Sequence, residues 1–390
     1  MRILFATTAN IGHFGPMTPF ARACAAAGHE VRVAAPASFA STVSRAGLPH
    51  APLAEPAPGE HGPIFARLPG LPRLEADRVV INEVFAGIDA RAALPTMRAL
   101  VEEFRPDLVV REFAEFASFA VATGAGVPHV EVAIGLAEAG AVAFGMLDDA
   151  TLDELGCTGD GLLTAPLLTV VPASLEAEPT SLEAEPTSLE AEPASLEAEP
   201  PGRPVHRFAY PVPSTTAPPP DVPGTGPLVY ASFGTVAAVL PPFAGAYRSL
   251  VDALAARRVR ALVTVGEAGD TTLSTVDHVR VERFVPQADV MPHASAAIGH
   301  GGFGTTMTAL AAGVPTVVSP LFSLDQFLNA DAVTRSGAGV AVPSPAEVGD
   351  ALDRVLTDPS YATAARRLAD EMAALPPVPD SVEVLTRAAR

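Results

Sequence analysis

The chain contains no lysine and no tryptophan, and only two cysteines among its 390 residues. Cys24 and Cys157 make no disulfide framework in a chain of this length, so a reducing cytoplasm is the expected setting. Positive charge is scarce too: 25 basic against 44 acidic residues leaves a formal net charge of −19. Nucleic-acid binding needs clustered basic side chains against phosphate, and this balance argues against it. Although 48% of the residues are apolar, no run approaches the ~20 residues of a membrane helix, so no stable membrane insertion is expected. The opening MRILFATTANIGHFGP has no small-residue cleavage site and reads as a first strand with its loop, not a signal peptide. Heavy use of Ala, Pro, Arg and Val fits the codon bias of a GC-rich genome.

What is present is rhythm. Apolar runs at residues 2–7, 30–35, 107–111 and 129–134 alternate with helical stretches at 16–27, 38–46, 89–104 and 114–124. Such repetition predicts a parallel, doubly wound sheet. The pattern restarts at 228–233 and continues through 260–265, 279–284, 296–299, 315–319 and 338–343, so two Rossmann-like α/β halves are expected. Between them a heptapeptide, Ser-Leu-Glu-Ala-Glu-Pro-x, begins at Ser174, Ser181, Ser188 and Ser195. Each unit has a proline that breaks a helix and a single leucine to bury. A solenoid would need units of roughly 20–50 residues. The repeats therefore read as expanded, solvated linker. The expected plan is a first half over 1–172, a linker over 173–226, a second half over 227–375, and a last helix over 376–390.

The chemistry concentrates after strand ends. His300-Gly301-Gly302-Phe303-Gly304-Thr305 lies between a predicted strand and a helix. A glycine turn there aims bare backbone N–H groups and the positive helix end at one spot, which makes an anion site, most often for phosphate. Gly299 to Gly304 also satisfy the dinucleotide pattern G-x-G-x-x-G. The acid of such a site stands at the tip of the next strand, whereas Asp325 lies well past it. Phosphate binding is thus better supported than NAD, and an NAD-dependent dehydrogenase stays open as an alternative.

Ser232, Gly234 and Thr235 close a predicted strand, where open sheets bind ligands, although an ordinary turn reads the same way. Phe284, Val285 and Gln287 end another and offer an aromatic face and amides to a base. Asp325 and Gln326 suit sugar hydroxyls, or simply begin a helix. His13 stands in the loop after the first strand, where a group titrating near neutrality can accept a proton from an attacking hydroxyl. The histidines show no metal-ligand spacing, and no Asp-x-Asp pair occurs.

In order and spacing, the amino-terminal MRILFATTANIGHFGPMTPFARACAAAGHEV, then RPDLVV, SFGT, FVPQ, HGGFGTT and DQFLNA, resemble the GT-B glycosyltransferases that decorate antibiotics and related natural products, most often from actinomycetes. The resemblance implies two Rossmann-like domains facing across a deep cleft. The second would hold a nucleotide-diphosphate sugar as co-substrate, with no other cofactor, and the first a hydrophobic aglycone acceptor.

By the same resemblance His300 and the amides of Gly302, Gly304 and Thr305 are diphosphate ligands, with Ser232 and Thr235 beside them. Asp325 and Gln326 would contact the donor sugar. Phe284 occupies the place where many relatives stack a tryptophan on the base, and thymine is the base expected. His13 becomes the general base and Glu112, an aspartate in many relatives, its partner. The absent Asp-x-Asp pair implies a metal-independent, inverting displacement. The last helix is expected to cross back onto the first domain, and residues 68–85 to form an acceptor lid. A homodimer and a catalytically silent binding homologue stay open.

Overall fold

A computed structural model describes residues 1–176, 203–212, 218, 220–234, 237, 243, 245–274 and 276–390. Thr235 and all but the first residues of the heptapeptide repeats lie outside the described residues. The chain divides into two compact units. One comprises Met1–Val170, Glu192–Ala209 and Pro376–Arg390, and the other Val171–Ala191 and Tyr210–Leu375.

The first unit is built on seven parallel strands among the described residues. They are β1 (Arg2–Ala6), β2 (Glu30–Pro36), β3 (His50–Leu53), β4 (Leu108–Arg111), β5 (His129–Val132), β6 (Leu167–Thr169) and β7 (Val205–Arg207), in the order β3-β2-β1-β4-β5-β6-β7. The central strands are continuous apolar runs because both sheet faces are covered; Ile3 to Ala6 and Leu108 to Val110 are all essentially inaccessible. Three strands have no counterpart in the sequence reading, and all lie towards the edges. β3 carries Pro52, which an edge strand tolerates. β7 is three half-exposed residues inside the stretch read as linker, paired only with β6.

The first helix runs Ile11–Ala26, starting five residues before the predicted residue 16. Asn10 caps it by accepting the Gly12 N–H at 2.8 Å. Pro16, a favoured first-turn residue, suggests the later start but sits inside the helix with Pro19. His13 consequently stands in a helical first turn and not in a loop.

The second unit holds β8 (Leu228–Ser232), β9 (Arg260–Thr264), β10 (Val279–Glu282), β11 (Ala296–Gly299), β12 (Thr316–Val318) and β13 (Gly339–Ala341), all parallel, in the order β10-β9-β8-β11-β12-β13. Alternation along β8 fills both faces. Val229 and Ala231 join a core with Leu250 and Leu352, while Leu228 and Tyr230 join another with Leu262 and Met291. Each unit is thus a parallel-sheet α/β domain, the fold class expected from the sequence. Among the described residues no helix is long and apolar enough to cross a membrane.

Each sheet reverses its strand order once, between β1 and β4 and between β8 and β11. At such a point the connections leave in opposite directions and open a crevice at the carboxyl ends. His13 follows β1 and Glu112 follows β4; Ser232 ends β8 and His300 follows β11.

The chain's last helix, Ser381–Ala388, returns to the first unit and packs on Ile11–Ala26, with Leu385 fully buried. Leu385→Ala is expected to cost ~2–4 kcal/mol through lost burial and a residual cavity. Urea unfolding should show it as a lower midpoint for the first unit, against a shift within ~0.5 kcal/mol for the surface change Arg390→Ala.

Candidate functional site

In the first unit, His13 Nδ1 lies 3.2 Å from Glu112 Oε1, and the Glu112 side chain is wholly buried. The same oxygen accepts the Thr8 N–H at 3.1 Å, and Oε2 accepts the Ala114 N–H at 2.7 Å. Burial pushes the Glu112 carboxyl up, but the charge and hydrogen bond of His13 and the two amides outweigh it and hold it below the usual carboxylate range. A carboxylate so placed fixes Nδ1 as the protonated ring nitrogen, which leaves the lone pair on Nε2. The extra methylene of glutamate is accommodated, because both carboxylate oxygens find partners.

The surroundings of this pair were not legible in the sequence. Phe85 and Phe113 pack against the imidazole, with ring centroids 5.8 and 6.1 Å from it. Behind the strand end, the fully buried Arg111 lies 3.1 Å from Glu131, which Arg203 also approaches at 2.9 Å. Arg111 donates to the Glu112 carbonyl at 3.3 Å. Arg203 comes from the supposed linker, so no local pattern could have paired it. Glu115 caps the helix Phe116–Ala125 through the Ser118 N–H at 2.9 Å, and burial pushes its carboxyl up to about 7.

In the second unit, β11 runs into the glycine loop and then the helix Phe303–Ala311, whose cap residue Gly302 supplies no side chain. The first helical bond is Thr306 N–H to the Gly302 carbonyl, so the amides of Phe303, Gly304 and Thr305 point out of the helix start. Gly301 has φ +86°, and a Cβ there would stand 2.5 Å from the Gln326 carbonyl oxygen. At Gly302 a Cβ would meet the His300 ring at 2.6 Å, and at Gly234 at 2.9 Å, so the imidazole occupies the room these glycines leave. Burial pushes His300 down to about 4, and its hydrogen bond to the Ser232 backbone offsets only part of that. The ring is neutral near pH 7.

Several residues expected to touch a ligand are turned into the frame. Ser232 donates its hydroxyl to the Thr264 carbonyl at 2.9 Å. Gln287 donates to Thr305 Oγ1 at 2.8 Å and to the Tyr230 hydroxyl at 3.2 Å, which orients the threonine. Gln326, 3% exposed, accepts the amides of Leu321 and Phe322 at 2.9 and 3.2 Å. Asp325 stands beside it in the first turn of Leu324–Arg335, accepting the Ser323 hydroxyl. It follows β12 by a whole loop, which is not where a dinucleotide site keeps its ribose acid. Phe284, two residues past β10, is 71% exposed, while Val285 packs on the core.

Four bracing residues escaped the sequence reading. Asn329 donates to the Gly301 carbonyl at 2.7 Å, and its place one turn after Gln326 was the available signal. The Tyr247 hydroxyl accepts the Phe233 N–H at 3.0 Å and donates to the Gly234 carbonyl at 2.9 Å, and the Tyr230 and Thr264 hydroxyls share 2.7 Å. Among the described residues, no three His, Cys, Asp or Glu side chains are grouped to hold a metal ion.

Residues 248–387 match the family described as Erythromycin biosynthesis protein CIII-like, C-terminal domain. The L-demethylnoviosyl transferase of Streptomyces niveus is 34% identical to this chain, over 96% of it and 95% of the relative. Among solved structures, the glycosyltransferase SnogD from Streptomyces nogalater is 27% identical with a TM-score of 0.74, covering 100% of this chain and 99% of its own. The spinosyn rhamnosyltransferase SpnG complexed with thymidine diphosphate is 25% identical with a TM-score of 0.75, covering 99% of this chain and 100% of its own. With the match over nearly the whole length of a curated transferase and the two-sheet fold in place, the chain belongs to the nucleotide-sugar glycosyltransferases of antibiotic and natural-product biosynthesis.

Proposed function

We propose that this glycosyltransferase is inverting and metal-independent, and that it moves a sugar, deoxygenated or not, from a thymidine-diphosphate donor to a hydroxyl of a hydrophobic small molecule. The observation that carries the reading is the His13–Glu112 pair at 3.2 Å, set where the connections after β1 and β4 diverge. His13 Nε2 takes the acceptor proton, and the acceptor oxygen attacks the anomeric carbon from the face opposite the diphosphate. The bond from that carbon to the diphosphate oxygen breaks. Glu112 stabilises the imidazolium that results.

The amides of Gly302, Gly304 and Thr305 and the positive end of Phe303–Ala311 meet the charge growing on the leaving group. His300 joins them as a neutral N–H donor, since burial strips it of charge. Asp325 accepts from sugar hydroxyls, with Gln326 holding its loop, and exposed Phe284 gives thymine a stacking face. The thymidine diphosphate held by SpnG supports the choice of base. The reading assigns no metal ion.

Against a panel of nucleotide sugars and polyketide-like aglycones, with product followed by mass spectrometry, His13→Ala is expected to lower turnover ~10²–10⁴-fold. Its affinity for thymidine diphosphate by calorimetry should match wild type. Full activity in His13→Ala would remove the base, and tight NAD binding without thymidine diphosphate binding would remove the donor assignment.

The neutrality of His300 is separately measurable. Its folded value of about 4 lies below the ordinary 6.5, so between these two the unfolded chain binds the proton and the fold does not. Stability is therefore intact above pH ~6.5 and falls as the pH drops towards 4, by up to ~3 kcal/mol from this group. Thermal melts from pH 7 to 4 should show a shallower decline in His300→Asn than in wild type; parallel curves would mean that His300 is charged in the fold.

A further inference from the structure

Apolar area alone does not describe the wall around His13. The centroids of Phe85 and Phe113 lie 5.8 and 6.1 Å from that of the imidazole, with the planes tilted by 52° and 31°. Phe144 meets Phe113 edge-on at 6.4 Å, and Phe116 meets Phe144 the same way at 6.4 Å. Phe85 and Phe113 are only partly buried.

The element that brings Phe85 there is unusual. Val80–Asp89 is π-helical, with Gly87 at φ −86° and ψ −110°. Such turns are rare and recur at functional sites. A Cβ at Gly87 would stand 2.6 Å from the Asn82 carbonyl oxygen, so the close turn depends on glycine. Asn82 braces it, donating to the Met146 carbonyl at 2.8 Å and accepting the Asp148 N–H at 2.8 Å. At the far end Asp89 meets His61 at 2.7 Å. A rare and well-braced turn thus sets one phenyl ring against His13.

Leucine or isoleucine would supply similar apolar area without this orientation. Phenyl faces differ because they attract the positive edges of other rings. We propose that the acceptor is a flat aromatic ring whose nucleophilic hydroxyl is a phenol, seated against Phe85 and Phe113; this rests on the reading of His13 as base. A phenol releases its proton near pH ~10, far closer to an imidazole than an alkyl alcohol does. In the step, the phenolic O–H breaks and its proton passes to His13 Nε2. The oxygen then bonds to the anomeric carbon, and the electron pair of the broken carbon–oxygen bond leaves on the nucleoside diphosphate.

The absence of tryptophan makes a direct test available, because naphthol fluorescence can be excited without an indole background. β-Naphthol is titrated into the full chain saturated with thymidine diphosphate, and decahydro-β-naphthol, of the same skeleton and hydroxyl position, competes for the site. Wild type is expected to prefer the aromatic compound by about tenfold. Phe85→Leu and Phe113→Leu should each reduce that preference to about threefold or less, with thymidine diphosphate affinity by calorimetry unchanged. Equal binding of the two alcohols, no naphthol binding, or a preference that survives in both variants overturns the proposal. Failure of the donor reading is distinguishable, since it would appear as absent thymidine diphosphate binding in wild type.

Discussion

The single reversal of strand order in each sheet is the constraint on which the rest depends. Between β1 and β4, and again between β8 and β11, successive connections leave the sheet in opposite directions. Neighbouring carboxyl ends therefore cannot be roofed by their own helices. The crevice exists before any ligand-binding residue is chosen. Whatever side chain ends β4 must meet whatever begins the helix after β1, and Glu112 meets His13. The glycine loop obeys the same rule: it follows β11, beside the end of β8, so Gly234 and Gly302 both border the His300 ring.

Electrostatics then decides how an anion can be held. The chain carries a formal net charge of −19, and a diphosphate gains no general attraction from it. Screening confines the penalty, since at physiological salt charges beyond ~8 Å hardly act on one another. Local groups therefore decide the balance at a binding site. On the proposed reading, a helix start with outward amides and a neutral imidazole donor would supply that attraction. His300 also avoids the cost of a buried charge in the unliganded protein, and this agrees with an imidazole pushed down to about 4.

The sequence was legible where structure is local and periodic. Central strands were continuous apolar runs, and the glycine loop announced itself by composition. Edge strands were not legible, because β7 has three half-exposed residues and means something only beside β6. The direction of side chains was hidden as well. Ser232, Gln287 and Gln326 have ligand chemistry, but only the fold shows their polar atoms bonded to Thr264, Thr305 and the Leu321 amide. Phe85 was unreadable for a third reason. Its contact with His13 joins distant segments through a π-helical turn that no periodicity encodes.

The buried ion cluster behind Glu112 brings these threads together. Arg111 and Glu131 are both taken out of water, a cost that a paired charge seldom recovers as net stability. An apolar pair of similar volume would fill the space more cheaply, so stability is a poor account of the cluster. Geometry is a better one. Arg111 precedes Glu112 in the chain and donates to its carbonyl, while Glu131 on the neighbouring strand pairs with the guanidinium and is itself held by Arg203. The backbone that carries Glu112 is thereby tied to the neighbouring strand, and Thr8, Ala114 and His13 hold its carboxylate. The cost of burying charge beneath the site is thus offset in the position of one carboxylate above it.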